Sequence, residues 1–184
     1  MATVRTKDGA ELYCEVHGKG EPLLLVTGLG GNASFWTEQV PYFSPRYRVI
    51  TYDHRGAGRS SMSKIAYSVD QMAEDALSVM DGLGIEKAHL VGHSTGGAIG
   101  QVIAIEHPHR LLSLVASSSW TTADAYFKRL FEVRKDALAH GASAYVRCGT
   151  LFQYSPEYIS ENIEAIRASE QAVINAFPPV EIVA

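Results

Sequence analysis

Cysteine is scarce in this chain. Cys14 and Cys148 are its two thiols in 184 residues, too few for a disulfide framework and not at metal-ligand spacing, which is the usage of a reducing cytoplasm. No stretch reaches the roughly 18 consecutive apolar residues of a membrane span. The N-terminus, Met1 to Asp8, lacks the apolar core of a secretory signal. A membrane is therefore not expected as a partner. Basic runs are absent too. Lys and Arg number 16 against 20 Asp and Glu, for a formal net charge of -4, so there is no electrostatic reason to expect nucleic acid. There is no internal repeat and no low-complexity tract. What remains, 46% hydrophobic and 20% charged, is ordinary globular composition, with enough chain for one real core and an appended lobe.

Strand and helix patterns alternate through the first two thirds. Residues 11–17 alternate polar and apolar, as a half-buried strand does. Residues 23–27 form a short continuous apolar run before Gly28, Gly30 and Gly31, the pattern of an interior parallel strand. Residues 48–52 predict another strand, closed by Asp53-His54-Arg55-Gly56-Ala57-Gly58. Ser68 and Gln71 have the spacing of a capping box, and Val69, Met72, Ala73, Ala76, Leu77, Met80 and Leu83 recur at helical period until Gly82 and Gly84. Strands over 88–91 and 111–116 flank a helix over 95–106. Such alternation requires crossover connections and predicts an α/β fold with a mostly parallel sheet and flanking helices. After Trp120 the strand signal ends. Residues 126–140, 143–152 and 156–176 predict amphipathic helices, the last broken by Pro178-Pro179, so the expected organisation is a core over 1–120 and a helical cap over 121–184.

Three turns carry the chemistry. Gly92-His93-Ser94-Thr95-Gly96 stands between a predicted strand and a predicted helix. G-x-S-x-G alone is weak in a chain with 16 glycines, but here the strand must turn sharply into the helix. The tip residue is then strained, and its hydroxyl stands clear at the positive helix end. The competing reading is a serine that merely caps the helix. Thr27-Gly28-Leu29-Gly30-Gly31 follows an interior strand, where backbone N–H groups can face a developing oxyanion. A phosphate cradle or plain loop is the alternative, and the phosphate reading is weakened by the missing G-x-x-x-x-G-K-[ST] pattern. Asp53 to Ser60 holds carboxylate, imidazole and hydroxyl groups, yet an Asp53–Arg55 pair stabilising the turn is the stronger reading.

These motifs, in this order, resemble the α/β-hydrolase fold family, and the wording is most similar to its enol-lactone hydrolase, aminoacrylate hydrolase and small carboxylesterase branch, which also includes acyl-homoserine lactonases. The resemblance implies Ser94 as nucleophile, with the N–H groups of Leu29 and Thr95 as the oxyanion hole. It implies no metal or organic cofactor, and a small acyl substrate such as an ester or lactone. Thr27 stands where the family usually has His, at a position whose side chain is not the donor. Trp120, Tyr126 and Phe127, with Phe131 and Phe152, are candidates to line an acyl pocket or to form the cap's own core.

A serine needs a base held by an acid, and the family's order is Ser, acid, His. After Ser94 stand His107, His109 and His140. The first two close the far end of the 95–106 helix, roughly 20 Å away by helix rise. His140 falls near the end of a cap helix, and His93 points elsewhere off the sharp turn. Asp124 is a weak acid candidate. The resemblance implies that the acid and the histidine sit on two further strands within roughly 80–90 residues expected to follow Ala184, leaving residues 111–116 as an uncovered edge. A companion chain or self-association is the expected cover. A catalytically incomplete fragment that binds a ligand or partner is the other reading.

Overall fold

The computed structural model describes residues 2–63 and 65–177. Pro178-Pro179 and residues 180–184 lie outside them. The chain divides into two units, one ending at Thr121 and the other beginning at Thr122.

The first unit is a six-stranded sheet: β1 (Ala2–Arg5), β2 (Glu11–His17), β3 (Glu21–Val26), β4 (Tyr47–Tyr52), β5 (Ala88–His93) and β6 (Leu111–Ser117), in the order β1-β2-β4-β3-β5-β6. Pairings β3/β4, β3/β5 and β5/β6 are parallel, while β1/β2 and β2/β4 are antiparallel. The sheet is thus mixed, parallel where the site is built. The sequence pattern did not reveal β1, because four residues are too short to show a period of two.

β3 shows why continuous apolar runs become interior strands. Leu24 and Val26 point into the larger core, whereas Leu23 and Leu25 point into a smaller cluster with Val49 and Trp36 on the opposite face. Leu24 pairs with Ile50 on one side and Leu90 on the other, and burying each such side chain contributes about 1.5–3 kcal/mol. Helices α2 (Val69–Gly82) and α3 (Thr95–Glu106) cover the larger core. The short α1 (Val40–Phe43) packs beside the smaller cluster. In α2, Met72, Ala73, Ala76, Leu77, Val79 and Met80 are buried on one face. Ser68 caps this helix by accepting from the Gln71 N–H. The expected box closes on one side only, because the Gln71 side chain turns to Asp75 instead.

β6 is the last strand of the sheet among the described residues, and its Leu112 and Val115 are exposed. Ser113, on the same strand, joins a cross-strand ladder: His89 Nδ1 lies 2.7 Å from Ser113 Oγ and His89 Nε2 3.2 Å from Glu21 Oε2. This ladder has the form of a serine–histidine–acid relay. It stands at the beginning of β3 and β5, the opposite strand ends from Ser94, and Ser113 lies within a strand rather than at a helix N-terminus. It ties three strands together.

The second unit contains α4 (Ala125–Ala139), α5 (Ala142–Gln153) and α6 (Pro156–Asn175), close to the expected spans. Asp124 and Ser155 cap α4 and α6 through the N–H groups of Phe127 and Tyr158. Leu138 and Ile166 are buried, Arg134 donates to Tyr145 OH at 2.8 Å, and Thr150 donates to Glu170 at 2.6 Å. α6 kinks at Asn162, whose side chain donates to Tyr158 O. No described helix is long and apolar enough to cross a membrane.

Candidate active site

The ends of β3, β4 and β5 bring the three sequence motifs to one edge of the sheet. β5 passes into α3 through Ser94 alone, at φ 54 and ψ -120. A non-glycine residue reaches this left-handed region only when its surroundings hold it there. Gly92 and Gly96 make the turn possible: a Cβ at Gly92 would run into Gly96 O, and one at Gly96 into Val26 O. The Ser94 N–H donates to Ser117 O at 2.9 Å, anchoring the tip to the end of β6. The Ser94 side chain caps nothing, so the plain helix-cap reading fails on geometry.

The glycine turn faces this serine. A Cβ at Gly28 would stand 3.2 Å from Ser94 Cβ and 3.6 Å from Ser94 Oγ. The turn closes by a Gly31 N–H to Gly28 O bond, with Gly30 at φ 67 and the Leu29 side chain half exposed above it. Among the described residues, the N–H groups of Leu29 and Thr95 donate to no protein acceptor. Thr95 begins α3, where such free donors and the helix dipole coincide.

The Asp53 to Ser60 turn is structural, as expected, but through different partners. Arg55 does not pair with Asp53. Its guanidinium reaches away, donating Nε to Asp75 Oδ2 at 2.9 Å and Nη2 to Asp75 Oδ1 at 2.6 Å, and also contacting Asp8. Asp75 and Asp53 are equally buried, but Asp53 is served by backbone N–H groups, whereas Asp75, in α2, depends on side-chain donors. Asp53 instead accepts from the N–H groups of Ala33 and Arg59, each at 2.8 Å. Ser60 donates to Asp53 O and accepts from Tyr13 N–H.

Hydrogen bonding from Arg55 holds the Asp8 carboxyl well below its ordinary value of 3.8. Because the folded value is the lower one, Asp8 stabilises the fold above about pH 4, and that contribution is lost as the pH falls. The urea midpoint of the wild type is expected to fall as the pH drops below about 4, and Asp8→Asn is expected to flatten that fall. Equal slopes for the two proteins would show that the contact carries no weight.

The remaining candidates are placed as follows. His93 stacks on Phe35 with ring centroids 5.0 Å apart. His107 ends α3 and lies 3.7 Å from Glu74, and His109 is in the turn after it. His140 ends α4, and Asp124 is committed to capping it. Trp120 belongs to the first unit, where its carbonyl accepts from Gln101. Tyr126 and Phe127 belong to the second: Tyr126 is 72% exposed, and Phe127 lies against Phe131 at 4.7 Å in a shallow, open depression. Among the described residues of the first unit, no imidazole or carboxylate is hydrogen-bonded to Ser94 Oγ, and no described group of three His, Cys, Asp or Glu is placed to hold a metal ion.

Comparison with known proteins agrees with this architecture. Residues 21–143 match the family described as alpha/beta hydrolase fold. The chain is 44% identical over 170 residues to a protein of Azorhizobium caulinodans named as a carbamate hydrolase, RutD, covering 92% of this chain and 64% of that protein. It therefore spans somewhat less than two thirds of that relative. A hydrolase from Pseudomonas aeruginosa superposes with a TM-score of 0.82 at 26% identity, over 100% of this chain and 69% of the other. Est816, described as an N-acyl homoserine lactone degrading enzyme, does so with a TM-score of 0.81 at 26% identity, over 99% and 69%. The chain belongs to the α/β-hydrolase fold family.

Proposed function

We propose that this chain carries the nucleophile and oxyanion hole of a serine hydrolase acting on carboxylic esters, lactones or related acyl compounds, among which carbamates fall. Ser94 Oγ attacks the acyl carbon, and the N–H groups of Leu29 and Thr95 receive the carbonyl oxygen as it becomes negative. The activating base takes the serine proton and passes it to the leaving alcohol or amine as its bond to the acyl carbon breaks, and water then hydrolyses the acyl-enzyme to the acid and free Ser94. The reading rests above all on the strained Ser94 turn facing Gly28. The names of the relatives support the acyl class, the Azorhizobium protein a carbamate and Est816 a lactone. The resemblance to the family's order of Ser, acid and His supports placing the histidine and its acid on a companion chain or an extension.

Exposure of the purified protein to a fluorophosphonate, followed by intact-mass spectrometry and peptide mapping, tests this. An adduct on Ser94 is the expected result, and the species carrying the base would appear in the same spectrum. A chain of 20.0 kDa, alone and unmodified, would instead support the second reading, a hydrolase-fold module that binds without turnover.

A further inference from the structure

One residue grips both ends of the glycine turn. The His54 backbone N–H donates to Gly31 O at 3.2 Å, and its ring Nε2 lies 3.1 Å from Thr27 O. A carbonyl only accepts, so the ring proton must be on Nε2. His54 is 2% exposed, and Tyr52 stands edge-on against the ring at 5.1 Å. Burial also pushes the imidazole below its ordinary range, leaving it neutral with one N–H to give.

We propose that His54 is a positioning residue for the oxyanion turn, bracing Thr27 and Gly31 from the neighbouring turn so that the Leu29 N–H stays aimed at the atom attacked by Ser94. The inference rests on the oxyanion reading above. Between the two braced carbonyls lie only Gly28, Leu29 and Gly30. Two of these three are glycines, which move freely through φ and ψ when unrestrained. A single loosened bond there displaces the donor, and a displacement of about 1 Å lowers rates by about 100-fold. The adjoining chain is fixed separately, by the Ala33 N–H to Asp53 bond. His54 thus acts on the turn itself.

Glutamine can carry an amide N–H to the place of Nε2, whereas asparagine carries one only to the place of Nδ1. In the wild-type chain, nitrogen-15 spectra of the ring near neutral pH are expected to show the Nε2–H form. Hydrogen exchange at the Gly31 amide is expected to quicken about tenfold in His54→Asn and to stay near wild type in His54→Gln, with the Leu90 amide unaffected in both. Fluorophosphonate labelling of Ser94 is expected to slow by about 10- to 100-fold in His54→Asn and to recover in His54→Gln. A ring proton on Nδ1, or equal exchange in the two variants, would overturn the proposal. If the turn loosens in His54→Asn while labelling is unchanged, the brace stands and the oxyanion role of Leu29 falls. Exchange and tautomer decide the brace with or without labelling.

Discussion

Arg55→Ala is expected to destabilise the first unit by about 3–5 kcal/mol, the range found when one partner of a buried ion pair is removed. The Asp75 and Arg55 side chains are only 3% and 2% exposed, so water cannot replace the missing guanidinium. Gln71 keeps its 3.2 Å bond to Asp75 Oδ1, which places the expected value toward the lower end. The cause is the stranded carboxylate rather than the lost attraction, and a second variant separates the two. In Arg55→Leu with Asp75→Leu no charge remains buried, and the double variant is expected to lose less than Arg55→Ala alone. Urea unfolding of the three proteins measures this. A double variant less stable than the single one would mean that the pair itself, with its links to Thr6 and Asp8, holds the turn.

Ser94→Gly is expected to remove all fluorophosphonate labelling and, at the same time, to make the chain more stable. At φ 54 and ψ -120, a residue with a Cβ is strained by about 1–3 kcal/mol, and glycine is not. Glycine loosens the unfolded chain by about 0.4–1 kcal/mol in the opposite direction. The net gain is about 1 kcal/mol. Ser94→Ala keeps the Cβ and therefore the strain, so it is expected to lose labelling without gaining stability. Comparison of the two unfolding midpoints isolates the backbone term. If the alanine variant proves as stable as the glycine variant, the turn stores no strain, and its left-handed geometry has another cause.

Much of the first unit was legible because its signals are local. The apolar run of β3, the period of α2, and the strand–serine–helix order each lie within a few neighbouring residues. The helix over residues 95–106 came out with the expected bounds. What failed depended on distance along the chain. Asp53 and Arg55 are two residues apart and suggested a pair, but Arg55 binds residues 20 and 47 positions away. His54 was legible only as part of a motif, since its acceptors are backbone carbonyls that no side-chain pattern records. The antiparallel start of the sheet was hidden by the shortness of β1. The likeness of Glu21, His89 and Ser113 to a catalytic relay, across 68 and 24 positions, emerged only once the strands were aligned.

The two thiols fall one to each unit. Cys14 is fully enclosed in β2, and burial pushes its thiol up to about 12, so it meets an alkylating reagent only when the sheet opens. Cys148 is half-buried in α5. The chain thus contains its own clock: slow alkylation at Cys14 times the opening of the sheet, with the partly accessible Cys148 as the fast reference, the two told apart by peptide mapping of one sample.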